Sequence, residues 1–208
     1  MNQVQHMDDD RFLGQVREHI DTLGKQADTD ALRLEHAQAL LSGFFGLMPE
    51  VDRSQHAPDE WAALLVEMSG FLLERPSGRA RVRIFNPSRE QAGWGGLRTT
   101  IQVVTDDMPF LVDTLNMAVA RSGHRVHMVA HPVITARRDR NGVLQQINVD
   151  GDAAEHESIM HLEIDRLAGD EECQLLQADL ESSLSDVRLA VQDWQPMRGK
   201  MLQIAEEL

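Results

Sequence analysis

Between Thr99 and Arg166 the spacing of apolar residues changes period twice, and that change restricts the fold of this chain more than any other feature. Thr99, Thr100, Ile101, Val103, Val104 and Thr105 are β-branched, the composition of a half-buried strand. Asp106, Asp107, Met108 and Pro109 follow, supplying an N-cap acid and a proline suited to a first helical turn. The sequence therefore predicts a helix from about Pro109, with Phe110, Leu111, Leu115, Ala118 and Val119 facing a sheet and Gly123 as a left-handed stop. From Arg125 the pattern is extended again through Val126, Met128, Val129, Val133 and Ile134, up to the turn signal Asp139-Arg140-Asn141-Gly142. A further strand is predicted over residues 158–165. The order is strand, helix, strand, strand.

The first eighty residues carry a helical period instead. Phe12, Leu13, Val16 and Ile20 form one amphipathic series, and Leu34, Ala37, Leu40, Leu41, Phe44 and Phe45 a second. The third, Trp61, Leu64, Leu65, Met68, Phe71 and Leu72, is opened by Pro58-Asp59-Glu60. Breakers separate them at residues 24–29, Met48-Pro49 and Pro76-Ser77-Gly78. Residues 81–85 alternate as a strand does, and residues 87–96 are rich in turn formers. After Arg166 a helix is predicted from about Asp170, because Leu176, Leu180, Leu184, Val187, Val191, Trp194, Met197, Met201 and Ile204 keep steps of three or four, with a bend near Pro196. Val187, Leu189 and Val191 also alternate as a strand does. The stripe persists on both sides of them, which favours helix.

The strand–helix–strand–strand order with an acid-x-Pro joint at Asp107 and Pro109 resembles the ACT domain, a small regulatory module of ferredoxin-like topology. The phrases DDMPFLVD, VAHP followed by RRDRNG, and ESIMHLEIDR together are similar to the N-terminal region of the large bacterial NAD-specific glutamate dehydrogenases. The likeness extends from about Ala31, through RVRIFNPS and Gly93-Trp94, to DVRLAVQDWQPMR. The resemblance implies an α+β fold with an ACT-like antiparallel sheet, for which residues 81–85 are the candidate fourth strand once 187–191 is read as helix. It divides the chain into a helical segment (1–78), the sheet domain (79–168) and a C-terminal helix (169–208). It also implies a parent that oxidises L-glutamate to 2-oxoglutarate and ammonia with NAD. This segment would then be a non-catalytic regulatory or assembly domain, with the remaining domains of the parent and a second copy as partners. The competing reading is an autonomous ACT-type protein that senses amino acids.

Length, charge and cysteine content set outer bounds. A chain of 208 residues buries a core without staples, and its one cysteine, Cys173, excludes an internal disulfide framework. No apolar run approaches the roughly 18 residues of a membrane span, and residues 1–10 hold no apolar core, so a cytoplasmic location is expected. The net charge of −14 is uneven: about −7 over residues 1–80, +3 over 81–150 and −10 over 151–208. A middle so weakly basic between acidic flanks argues against nucleic acid as a partner.

Candidate chemistry is sparse. No Gly-x-Gly-x-x-Gly follows a strand, and the two lysines, Lys25 and Lys200, lie outside any glycine-rich context, so neither NAD binding nor catalysis is expected within this segment. Nine histidines invite a metal, but His127 and His131, on one face of a strand, stand roughly 13 Å apart at about 3.3 Å per residue, too far for one ion. His131-Pro132 reads instead as a bulge or strand edge. A Ser158–His161–aspartate triad lacks a nucleophile-elbow sequence. The one place suited to a ligand is the joint Asp106, Asp107, Pro109 and Phe110, where an acid and first-turn amides can meet an amino acid. Ligand-binding ACT domains often carry glycine straight after this proline. Phe110 in its place is expected to fill the space as core.

Overall fold

The structure, a computed structural model, describes residues 2–26, 30–149 and 154–207. Helices α1 (Asn2–Gln26), α2 (Ala31–Phe45) and α4 (Pro58–Leu72) follow the three amphipathic series, with a single short turn, α3 (Glu50–Arg53), after Pro49. Asp30 caps α2 through its carboxylate, and Pro58 opens α4 at a position where no amide partner is lost. The expected break at 24–29 lies partly outside the described residues.

Among the described residues six strands form one antiparallel sheet: β1 (Arg81–Phe85), β2 (Arg98–Asp106), β3 (Val126–Ala130), β4 (Val133–Arg138), β5 (Leu144–Ile147) and β6 (Glu155–Asp165). Between β1 and β2 lies the short helix α5 (Arg89–Ala92), and between β2 and β3 lies α6 (Leu111–Arg121). The fourth strand of the ACT pattern is β1, paired antiparallel to β2, and residues 187–191 belong to one continuous helix, α7 (Asp170–Glu207), whose backbone remains helical through position 196. β6 is the central strand. One edge pairs with β2 along its length, and the other pairs with β4 near its start and β3 near its end. The interruption between β3 and β4 falls at His131-Pro132, where proline cannot donate to the ladder.

The sheet separates two cores. On one face Val104, Met128, Ala130, Ile134, Ala136 and Ile159 pack under α1, α2 and α4. On the other, Val82, Ile84, Ile101, Val103, Met160, Leu162 and Ile164 pack under Leu111, Leu115, Ala118 and Val119 of α6 and Leu176, Leu180 and Leu184 of α7. Alternation at period two sends neighbours in β2 and β6 to opposite cores, so both strands are buried on both sides.

Three local expectations need correction. The helix begins at Leu111, two residues after Pro109. Phe110 is not core: it precedes α6 with φ 71° and its side chain is 67% exposed. β5 leaves no period in the sequence, because Leu144-Gln145-Gln146-Ile147 has apolar residues only at its ends, and β6 starts at Glu155 instead of Ser158, its first residues, Glu155, His156 and Glu157, being polar.

Candidate functional site

The β2–α6 joint is where the sequence places ligand chemistry, and the structure fills it with ion pairs from four other segments. Asp106, the last residue of β2, accepts from Arg75 at 2.7 Å and from Arg188 of α7. Arg75 also donates to Glu157 of β6 at 2.8 Å, and Arg138 of β4 grips the same carboxylate with a two-pronged contact of 2.7 and 2.8 Å. The result is a chain of alternating charge, Arg138–Glu157–Arg75–Asp106–Arg188, that crosses from a hairpin through the sheet to α7. Arg75 and Glu157 are both fully enclosed.

A buried guanidinium is tolerable only if most of its donors are matched. Arg75 spends its remaining contact on the Arg79 carbonyl at 3.3 Å, and Arg138 reaches the Leu72 and Gly142 carbonyls at 3.0 and 2.9 Å. Gly142 is indispensable to this arrangement. Its φ is +82°, its carbonyl also accepts the Arg75 amide, and a Cβ there would stand 2.2 Å from the Arg75 carbonyl oxygen. Burial pushes the Glu157 carboxyl up, but the Arg138 and Arg75 contacts outweigh it and hold the group below its ordinary range. Asp106 behaves likewise: burial raises it, and Arg188 and Arg75 bring it down. Both carboxylates are ionised and already paired.

Asp107 faces the other way. It accepts from the Ser158 hydroxyl at 2.6 Å, and His131 Nε2 lies 3.0 Å from the same hydroxyl. Serine, not histidine, is the middle member, and Ser158 is fully buried, so this trio is not a nucleophilic triad. Burial lowers the His131 pKa, partly offset by the Asp107 charge. Pro109 and Phe110 form the turn that follows, and the Phe110 side chain makes no cap for α6. The four residues singled out in the sequence thus divide: Asp106 and Asp107 are engaged in separate networks, and Pro109 and Phe110 form the turn beside them.

His127 and His124 bind carboxylates. His127 meets Asp165 at 2.7 Å and His124 meets Glu172 at 3.2 Å. His161 is buried against Phe44 of α2 and Trp94. No group of three metal-type ligands is present among the described residues.

The polar layer between the helices and the sheet was missed in the sequence. Glu163 of β6 is held by His56 and Arg98, and Gln102 of β2 accepts from Arg83, which also donates to Glu67 at 2.5 Å. Burial raises the Glu163 pKa, but the His56 hydrogen bond, with the charges around it, brings it down to about 2. The only sequence signal was negative: Gln102, Glu157, His161 and Glu163 occupy strand positions that would face water if no helices covered them.

Comparison with known proteins decides the family. The model of the glutamate dehydrogenase ACT1 domain matches residues 40–180, more than half of the chain. The chain belongs to that family. As an ACT1 domain it is similar to the NAD-specific glutamate dehydrogenase of Pseudomonas aeruginosa, 37% identical over 133 residues that cover 62% of this chain and 8% of the relative. It is also similar to the NAD-specific glutamate dehydrogenase of Halomonas elongata, 32% identical over 200 residues, 95% of this chain and 12% of the relative. The ACT1 chain therefore spans about a tenth of the length of these curated relatives. No solved structure matches it significantly.

Proposed function

We propose that this ACT1 chain is a non-catalytic regulatory and assembly segment from the N-terminal region of an NAD-dependent glutamate dehydrogenase. The parent would convert L-glutamate and NAD to 2-oxoglutarate, ammonia and NADH, with NAD bound elsewhere in it. The observation that carries the reading is the match over 95% of this chain to a relative of which it forms 12%. The shape of α7 supports it. Leu176, Leu180 and Leu184 are buried, whereas Trp194, Met197, Met201 and Ile204, on the continuation of the same stripe, are exposed. An uncovered apolar stripe of that length marks a contact surface, and the remaining domains of the parent are its occupant in this reading. A second contact surface is the outer edge of β3, which pairs only with β6 among the described strands and borders a groove of about 640 Å³ against α6. Open strand edges pair with other chains, so self-association is assigned to it.

The sensor reading is weaker, since Asp106 and Asp107, its ammonium acceptors, are already engaged. Two measurements test the proposal. The 208-residue chain should produce no NADH from glutamate and NAD, and saturable turnover that survives repurification would overturn the non-catalytic role. In the full-length parent, replacing Trp194, Met197 and Met201 together by Glu should disturb assembly or activity; a parent indifferent to all three would remove α7 from the assembly surface.

A further inference from the structure

β1 is an edge of the sheet, pairing only with β2 among the described strands. Its five residues run against β2 without a bulge, and no proline interrupts them. An antiparallel edge strand turns about half of its amides and carbonyls away from its neighbour. No hydrogen bond from another described segment reaches the backbone of residues 81–85 on that side. Two cavities border this edge, one of about 680 Å³ beside α7 at the start of the strand and one of about 280 Å³ beside Glu67 of α4 at its end. Their walls follow the chain without a gap from Gly78 to Ser88 and include no residue of β2 or β6, so both lie on the outer side of β1. The open edge thus has α7 as one bank and α4 as the other.

The two faces of β1 fix what an added strand would carry. Val82 and Ile84 belong to the core beneath α7, together with Leu184. Arg81 and Arg83 lie on the α4 side, over the Phe71 ring at 4.9 and 4.4 Å. Arg83 is matched by Glu67. Arg81 donates to neutral acceptors, the Phe71 and Glu74 carbonyls at 2.8 and 2.7 Å. Neither it nor the exposed Arg79 meets a carboxylate among the described residues. Burial lowers the Arg83 pKa, and Arg81 and Arg33 lower it further against the pull of Glu67, the mark of surplus positive charge on this face. Glu74 and Glu181 border the larger cavity, and both are exposed. We propose that β1 takes up an extended peptide as an added strand, one whose acidic and apolar side chains alternate. Its acids meet Arg81 and Arg83 on the α4 side, and its apolar residues extend the row of Val82 and Ile84 on the α7 side. A second copy is a poor occupant, because antiparallel pairing of two β1 strands about Arg83 sets that guanidinium against its own copy. The site is separate from the exposed end of α7 and from the β3 edge, which a register shift between Val126 and Met128 makes irregular. It does not depend on the assembly role.

NMR titration of the isotope-labelled 208-residue chain with the capped peptide Glu-Val-Glu-Val-Glu-Val tests it. Saturable shifts should appear at the amides of residues 79–88. The charge-reversed peptide Lys-Val-Lys-Val-Lys-Val should bind at least about tenfold more weakly. The acidic peptide methylated on alternate backbone nitrogens should not bind, because it cannot extend the ladder. Arg79→Glu changes an exposed side chain, so it should leave the melting temperature unchanged and weaken binding several-fold. Arg81→Gln removes the charge, keeps an amide donor for the neighbouring carbonyls and should weaken binding about tenfold. The absence of saturable shifts, shifts centred on another segment such as the β3 edge, or equal binding of the lysine or methylated peptide overturns the proposal. Binding that Arg79→Glu and Arg81→Gln both leave unchanged does the same. Shifts at residues 81–85 that appear when the chain is concentrated without peptide would make a second copy the occupant and overturn the acidic one.

Discussion

Phe110 shows how a single position can carry two opposite readings. Its chemistry, apolar and next to a helix, argues for core, yet its φ of 71° puts it where a side chain crowds its own carbonyl, at a cost of roughly 1–2 kcal/mol. Because the ring is mostly in water, Phe110→Gly should relieve that strain with little packing lost, and urea denaturation should find the variant within about 1 kcal/mol of wild type or above it. A loss of about 3–5 kcal/mol would mean that the ring is core after all. Glu157 is the reverse case. Glu157→Leu leaves Arg75 and Arg138 buried without their anion, and a loss of about 3–5 kcal/mol is expected in the same measurement. His161 sets a pH dependence. Burial lowers its pKa to about 4, so the unfolded chain binds the proton first as pH falls from 6.5. Stability from this group is complete above pH 6.5 and is lost progressively toward pH 4, by an amount on the order of 3 kcal/mol, and His161→Gln should flatten that part of the profile. None of these environments could be read from the sequence, where Glu157 and His161 alternate with Ser158 and Met160 as an ordinary half-wet strand does. Their burial is decided by helices more than fifty residues away in the chain.

Elements were legible where one period ran long enough to dominate. The stripes of α2, α4 and α6 and the β-branched run of β2 are physical consequences of one face being buried, and they appear in the sequence for that reason. The short elements α3, α5 and β5 left too few residues for a period to declare itself. α7 was legible as a helix but not as two functional halves, because the same stripe serves the core at Leu180 and solvent at Met201. Substitutions separate the halves. Leu180→Ala should cost about 2–5 kcal/mol by opening a cavity beneath the sheet, whereas Met201→Ala should change the stability of this chain by less than about 0.5 kcal/mol. Thermal melts of the two variants side by side check the contrast.

At the scale of the whole molecule, two helical layers enclose a sheet whose central strand, β6, is tied to all but β1 and β5 of its companions. Hydrogen exchange should be slowest at the amides of β2 and β6 and fastest in the last turns of α7, and an early loss of protection in β6 would contradict its central place. The ionic chain that ends on Arg188 has a mechanical consequence. From that anchor to Glu207 runs about 28 Å of helix at 1.5 Å per residue. Pivoting α7 by about 10° would sweep its tip through roughly 5 Å while displacing the Arg188 end far less. Arg188 is thus a fulcrum near the middle of α7, with one arm clamped beneath the sheet and the other, of nearly equal length, reaching beyond it.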